Sequence, residues 1–301
     1  IAVGNMAKYV PFVLQQIKSA PQQQYLLLQS LREILSRQSA KATGAHEMAP
    51  FVSSVMEMMI CECDSEEEGV RNMAAECLGK LALIEPVTVL PRLQGQLKST
   101  SVLARATTVY ALKFTVTERT PAEVLEPVLR EFLMMLHDQE LKVRRAALLT
   151  FNSAAHNKPS LVRPLLAETL PLLYAETTEK PELVRTVNLG PFQHKVDDGA
   201  ELRKLALACM DTLLERCPGQ LYPSQFLSHV KDRLEDTLDD IKQAAHQLLA
   251  KAASRDPAAV LESLDTLWVA LDKTIASRPK DNATKQDQER HEELRRSALR
   301  A

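Results

Sequence analysis

Apolar residues recur along this chain at i, i+3, i+4 and i+7, the spacing of an amphipathic helix. Phe51–Cys61, Val124–Leu136, Leu165–Tyr174, Phe226–Leu238 and Val260–Ile275 all carry it. A second pattern alternates with the first: an apolar residue or Ala, a basic residue, two variable positions, then a small residue. It reads Val70-Arg71 with Ala74, Ala104-Arg105 with Thr108, Val143-Arg144 with Ala147 and Leu202-Arg203 with Ala206. It returns as Ile241-Lys242 with Ala245 and Leu294-Arg295 with Ala298, and a weaker first copy lies in Gln24–Leu35. Acidic residues precede most copies (Glu67, Glu68, Asp138, Asp198, Asp239, Asp240), which suits the dipole at a helix start. Pro86, Pro121, Pro159, Pro181, Pro218, Pro257 and Pro279 mark joints where a helix stops or begins.

The repeating unit is a helix pair of about 40 residues, the period of HEAT and armadillo repeats. The shorter tetratricopeptide period fits less well, and the Thr-Pro-Leu-His of ankyrin repeats is absent. The expected fold is all-α: an α-solenoid of about seven HEAT-type helix pairs, one array over residues 1–301. The second helix of each pair is expected to line the concave face. Arg71, Arg105, Arg144, Arg203 and Lys242 then read as a structural ladder, pairing with acids of a neighbouring repeat.

One spacing breaks the rhythm. Successive basic positions at 71, 105, 144, 203, 242 and 295 lie 34, 39, 59, 39 and 53 residues apart. The surplus in the 59-residue gap falls between Lys180 and Gly199, where apolar residues alternate with polar ones. Val187 and Leu189 do so on one side of Gly190-Pro191, and Phe192, His194 and Val196 on the other. That predicts a β-hairpin inserted over 180–199, with strands near Val184–Leu189 and Phe192–Val196. Asp197 or Asp198 is expected to cap the helix that follows. An isolated hairpin is marginal in water, and long inserts are commonly functional. It therefore reads as a docking element, the alternative being a flap that seals a joint of its own solenoid. The smaller surplus in the last gap, 277–288, is polar and reads as a solvated loop.

Composition narrows the function. With 45% hydrophobic residues the chain is too apolar for disorder, and with 4% aromatics and 8 glycines it is poorly suited to a compact sheet. A net charge of -2 with no basic stripe argues against DNA or RNA as a direct partner. No run of 18 apolar residues is present, so no membrane-spanning helix is expected. The start at Ile1, without Met or a signal-peptide pattern, suggests a fragment of a longer chain. Five cysteines, an odd number set in helical patterns, suggest free thiols in a reducing compartment. Cys61-Glu62-Cys63 lacks a second Cys/His pair at zinc-site spacing. There is no Gly-rich phosphate loop, no Gly-x-Ser-x-Gly and no His-Glu-x-x-His. The histidines are scattered, and His156 reads as a cation at a helix end. The expectation is a protein that is not an enzyme and has no cofactor, no catalytic residue and no metal.

The strings Arg144-Arg-Ala-Ala-Leu-Leu-Thr-Phe-Asn-Ser-Ala-Ala-His-Asn-Lys-Pro-Ser-Leu161 and Gly190-Pro-Phe-Gln-His-Lys-Val-Asp-Asp-Gly199 resemble the cullin-associated, neddylation-dissociated family. So do Arg71–Leu81 and Arg295–Arg300. The family is also called TATA-binding-protein-interacting proteins. The resemblance spans the chain and looks like the C-terminal part of a longer solenoid. Met134-Met135 and Gln22–Gln24 look more like the second, B-form paralogue. The resemblance implies a non-catalytic regulator of cullin–RING ubiquitin ligases, working in nucleus and cytoplasm. Its C-terminal repeats would grip the N-terminal end of an unneddylated cullin carrying its RING-box protein. Its hairpin would compete with the adaptor and substrate-receptor module, giving sequestration or receptor exchange. Val187, Asn188, Leu189, Gly190, Pro191, Phe192, His194 and Val196 would be the partner-binding hairpin. The competing readings are a transcription-associated scaffold for the TATA-binding protein and a HEAT-repeat transport carrier.

Overall fold

A computed structural model describes all residues except 1–4, 41–44, 190–191 and 280–282. The fold is an α-solenoid of HEAT-type helix pairs with one inserted antiparallel hairpin. It divides into two compact units, Ile1–Leu165 and Leu166–Ala301. The first unit holds α1 (Met6–Ser19) with α2 (Gln24–Ser39), the short α3 (Ala45–Met48), and α4 (Val52–Glu62) with α5 (Glu68–Ile84). It continues with α6 (Pro86–Gln96) and α7 (Val102–Thr115), α8 (Ala122–Leu133) and α9 (Leu141–Asn157), and the short α10 (Pro159–Val162). The second unit holds α11 (Leu166–Thr177), β1 (Val184–Leu189), β2 (Phe192–Asp197) and α12 (Ala200–Arg216). After these come α13 (Pro223–Leu234) with α14 (Asp239–Arg255), the short α15 (Pro257–Glu262), and α16 (Leu264–Ala276) with α17 (Lys285–Arg300).

Second helices stack on second helices: α2 on α5, α5 on α7 and α7 on α9 in the first unit, α12 on α14 and α14 on α17 in the second. The recurring small residue makes this possible. Ala74, Thr108, Ala147, Ala206 and Ala245 are all fully buried, where a larger side chain would hold neighbouring helices apart. Where α5 crosses α7 the small residue is Gly79 on α5. A Cβ there would press on the Ala111 carbonyl oxygen and lie 2.6 Å from Phe114 Cβ. Buried hydroxyls run along the same stack. Thr107 Oγ1 donates to Cys63 O at 3.1 Å, Thr150 Oγ1 to Val109 O at 2.8 Å, and Thr115 Oγ1 to Gly79 O at 3.2 Å. Each satisfies a buried hydroxyl on a main-chain carbonyl of a neighbouring repeat.

The prolines have two roles, and the sequence pattern exposes only one. Pro86, Pro159 and Pro257 open helices at the first position, where the missing N–H costs nothing. Pro11, Pro91, Pro127 and Pro171 sit instead at the sixth residue of α1, α6, α8 and α11. These are the first helices of their pairs, where freed carbonyls and a proline bend are tolerated better than in the stacked second helices. Two local expectations need correction. Residues 285–288 are not loop: α17 begins at Lys285, because Thr284 and Asp287 form a capping box. Neither Asp197 nor Asp198 caps α12, whose N-cap is Gly199 with no side-chain hydrogen bond. Asp197 Oδ1 instead accepts the Gly199 N–H at 2.8 Å.

His246 on α14 is buried against α17. The Ser297 hydroxyl donates to Leu294 O, so His246 Nδ1–H donates to Ser297 Oγ at 2.7 Å, and Nε2 has no partner. Burial, and then the Lys242 charge, push the imidazole down to about 4. An unfolded histidine takes its proton near 6.5, so between the two values the unfolded chain binds more protons. Stability from this site is complete above the unfolded value and drains away as pH falls toward 4. Thermal melts at pH 7.5 and 5 should differ by about 2 kcal/mol on this account. His246→Gln should flatten the difference; a slope unchanged in the variant would assign it elsewhere.

Candidate functional site

The hairpin is the one element of the described structure that the helical repeat does not require. Its strands pair antiparallel, with Val184 opposite Asp197, Arg185 opposite Val196, Thr186 opposite Lys195 and Val187 opposite His194. Asn188 lies opposite Gln193, and Leu189 opposite Phe192. Positions 187, 189, 192, 194 and 196 therefore share one face of the ribbon, and 186, 188, 193 and 195 the other. Thr186, Asn188, Gln193 and Lys195 are exposed, while Val187 and Val196 are half-buried. Gly190 and Pro191 lie outside the described residues, as do the side chains of Leu189, Phe192 and His194.

The base of the hairpin is firmly held. Asp198 N–H donates to Leu183 O at 3.0 Å and closes the two ends together. The Leu183 side chain lies over Gly199, where a Cβ would come within 3.0 Å of Leu183 Cδ1. On the solvent side Arg185 makes two hydrogen bonds to Asp198, at 2.7 and 3.2 Å. These bonds hold the Asp198 carboxyl below its ordinary range. On the core side Arg203 Nη1 donates to Asp197 Oδ2 at 2.7 Å.

Arg203 is buried, its side chain 1% exposed, and it also meets the equally buried Asp236 in the α13–α14 turn. Nη2 donates to Asp236 Oδ1 at 3.3 Å. Nε lies 3.2 Å from Oδ2, close enough for an ion pair but misaligned for a hydrogen bond. Arg233 Nη1 adds a further donor to Asp236 Oδ2 at 3.3 Å, and the Leu238 N–H one to Oδ1 at 3.0 Å. Two carboxylates and two guanidiniums are thus gathered where each charge has an opposite partner, which is what burial of charge requires.

The other basic positions follow a common rule that the residue pattern alone did not reveal. Arg71 Nη1 donates to Ser65 O and Glu66 O, Arg105 Nη1 to Ser99 O and Thr100 O, and Arg144 Nη1 to Asp138 O and Gln139 O. Each arginine thereby clamps main-chain carbonyls six and five residues back, in the turn that joins the helices of its own pair. Arg105 also reaches Asp138 of the next pair through two hydrogen bonds, at 2.8 and 3.1 Å. Partial burial opposes the Asp138 charge, but the Arg105 bonds, the Glu140 N–H and the Arg144 charge outweigh it and hold the carboxyl low. Lys242 is simpler, lying 3.6 Å from Asp239.

Other features offer little chemistry. An apolar cleft of about 310 Å³ lies between the end of α12 and the starts of α13 and α15, lined by Leu214, Cys217, Leu221, Phe226 and Val260. Among the described residues no group of three His, Cys, Asp or Glu could hold a metal ion, and no helix is long and apolar enough to cross a membrane. None of the five cysteines is in a disulfide, and burial pushes the Cys63 thiol up to about 12, far from a reactive thiolate.

The class of protein is thus a HEAT-type helical scaffold with a hairpin anchored by charge. Yeast importin-β shares this fold, with a TM-score of 0.70 over 99% of this chain and 37% of that one at 12% identity. That likeness concerns the fold alone. The sequence is homologous throughout to cullin-associated NEDD8-dissociated proteins. It is 46% identical to protein 1 of Arabidopsis thaliana over 100% of this chain and 25% of the relative. Identity is 43% to protein 2 of Mus musculus, over 100% of this chain and 24% of that protein. It is 33% to the Emericella nidulans "protein 1, C-terminal part", over 99% of this chain and 28% of that one. The chain spans about a quarter of the length of these relatives, and the identities do not separate the two forms. The family described as "TATA-binding protein interacting (TIP20)" matches residues 161–301, which contain the hairpin.

Arg203→Met would strand the Asp197 carboxylate and leave buried Asp236 with Arg233 alone, and should cost about 3–5 kcal/mol in urea unfolding. Arg185→Met removes only an exposed pair and should leave the midpoint in place. Equal effects of the two substitutions would contradict the burial assigned to Arg203.

Proposed function

We propose that this chain is the part of a non-catalytic cullin–RING ligase regulator that binds the N-terminal end of an unneddylated cullin. The hairpin then occupies space needed by the substrate-receptor adaptor, and sequestration or exchange of receptor modules follows from that overlap. The observation that carries the reading is the end-to-end similarity to proteins named for cullin association and NEDD8 dissociation. The physics is compatible with it. A hairpin fastened at its base carries a mix of apolar and polar positions, the arrangement needed to enter a partner's groove. The RING-box protein enters as the cullin's own companion. The protein works in nucleus and cytoplasm, where buried thiols are stable.

A second reading has one observation in its favour. The family description matched over 161–301 names the TATA-binding protein, which makes a transcription-associated scaffold the alternative. Importin-like transport rests only on a shared fold and is not carried further.

The test is a competition. An unmodified cullin–RING complex is immobilised, the full protein bound, and adaptor with receptor titrated in. Wild type should trade places with adaptor. A protein lacking Val187–Val196 should bind without trading. Phe192→Ala, at the start of β2, should weaken displacement by about 2 kcal/mol, or roughly 30-fold. Absence of cullin binding by wild type, with capture of the TATA-binding protein instead, would favour the second reading.

A further inference from the structure

In the first unit, Arg71, Arg105 and Arg144 each reach six residues back to a main-chain carbonyl in the turn between paired helices. Six residues before Arg203 stands Asp197, the last residue of β2. The inserted hairpin has therefore replaced a carbonyl of the turn with a carboxylate at its own end. The forward contact is conserved in register as well. Arg105 meets Asp138 and Arg203 meets Asp236, each 33 residues on, in the turn before the next second helix. Arg203 thus joins two things that no other ladder arginine joins in the described structure: the exit of the hairpin and the turn of the following repeat.

From this geometry we infer that Arg203 is the positioning residue of the hairpin, and that it ties the hairpin's angle to the α13–α14 turn. The inference rests on the reading of the hairpin as the competing element and says how its action is regulated. Both oxygens of Asp197 are committed, Oδ1 to the Gly199 N–H that begins α12 and Oδ2 to Arg203. The same α13–α14 turn touches the chain just before the insert, where Thr237 Oγ1 donates to Glu179 Oε2 at 3.3 Å. The approach to the hairpin and its exit are both fastened to one turn. A partner that shifts α13 against α14 moves Asp236, Arg203 must follow because its charge has no solvent to fall back on, and Asp197 follows Arg203. A partner that pushes on the hairpin acts through the same atoms in reverse. This is the reciprocal coupling that exchange between two ligands requires.

The experiment uses the full protein and three variants: Asp197→Asn, the combined Arg203→Met, Asp197→Asn and Asp236→Asn, and the deletion of Val187–Val196. The combined variant removes the charges of Arg203, Asp197 and Asp236 at once, so that none of these three is stranded, and leaves Arg233, 12% exposed, as the one remaining charge of the cluster. Amide hydrogen exchange is read over both strands and over α14, and adaptor displacement is read beside cullin binding. The expected result for Asp197→Asn and the combined variant is exchange faster by about tenfold in β1 and β2, with α14 within about twofold of wild type. Displacement should fall by about tenfold while cullin binding is kept. Strands as protected as in wild type, with displacement intact, would overturn the inference and leave Arg203 as a repeat staple. If Asp197→Asn also loosens α14, the combined variant decides in the same way. If the deletion trades with adaptor as well as wild type does while Asp197→Asn frees the strands, the positioning role holds and the competition reading fails. If the deletion loses displacement and Asp197→Asn does not, the competition reading holds and the positioning role fails.

Discussion

A pair of helices about 40 residues long cannot bury its apolar stripe by itself. It must pass that surface to the next pair, and everything else in this molecule follows from the handover. Small residues at Ala74, Thr108, Ala147, Ala206 and Ala245 let second helices approach closely. Arg71, Arg105 and Arg144 fix the turn within their own pairs by gripping its carbonyls, and Arg105 and Arg203 reach across to the next pair. Packing supplies the stability, and the arginines set the angle at which it is delivered.

The hairpin inherits that arrangement. It enters the array where an arginine expects a turn carbonyl, and it offers a carboxylate instead. A two-stranded ribbon has little stability of its own. This one draws its order from Asp197 and Asp198, one facing a buried guanidinium and one an exposed guanidinium. The two pairs have the same chemistry and unequal worth, because water screens the second and is excluded from the first.

Much of this was legible before any coordinates. The helix pairs announced themselves through i, i+3, i+4 spacing, and the hairpin through alternation around Gly190-Pro191 and a gap too long for the repeat. What stayed hidden depended on tertiary placement. Pro11, Pro91, Pro127 and Pro171 look like breakers, yet they sit inside the first helices of their pairs. Lys285–Gln288 look like solvated loop by composition, yet Thr284 and Asp287 cap a helix there. Arg203 is spelled like its neighbours in the ladder, and only the position of Asp197 at the end of a strand makes it different. Partner binding by Val187, Asn188 or Phe192 belongs to a surface whose counterpart is another molecule, so it is a proposal drawn from similarity and geometry.

The most direct test of that proposal places a photo-crosslinking amino acid at Gln193, an exposed position on β2, in the full protein bound to an unmodified cullin–RING complex. The account predicts a crosslink to the N-terminal region of the cullin that fades as adaptor is added. A crosslink to that region that persists at saturating adaptor would contradict it, because the hairpin and the adaptor would then not share the same space.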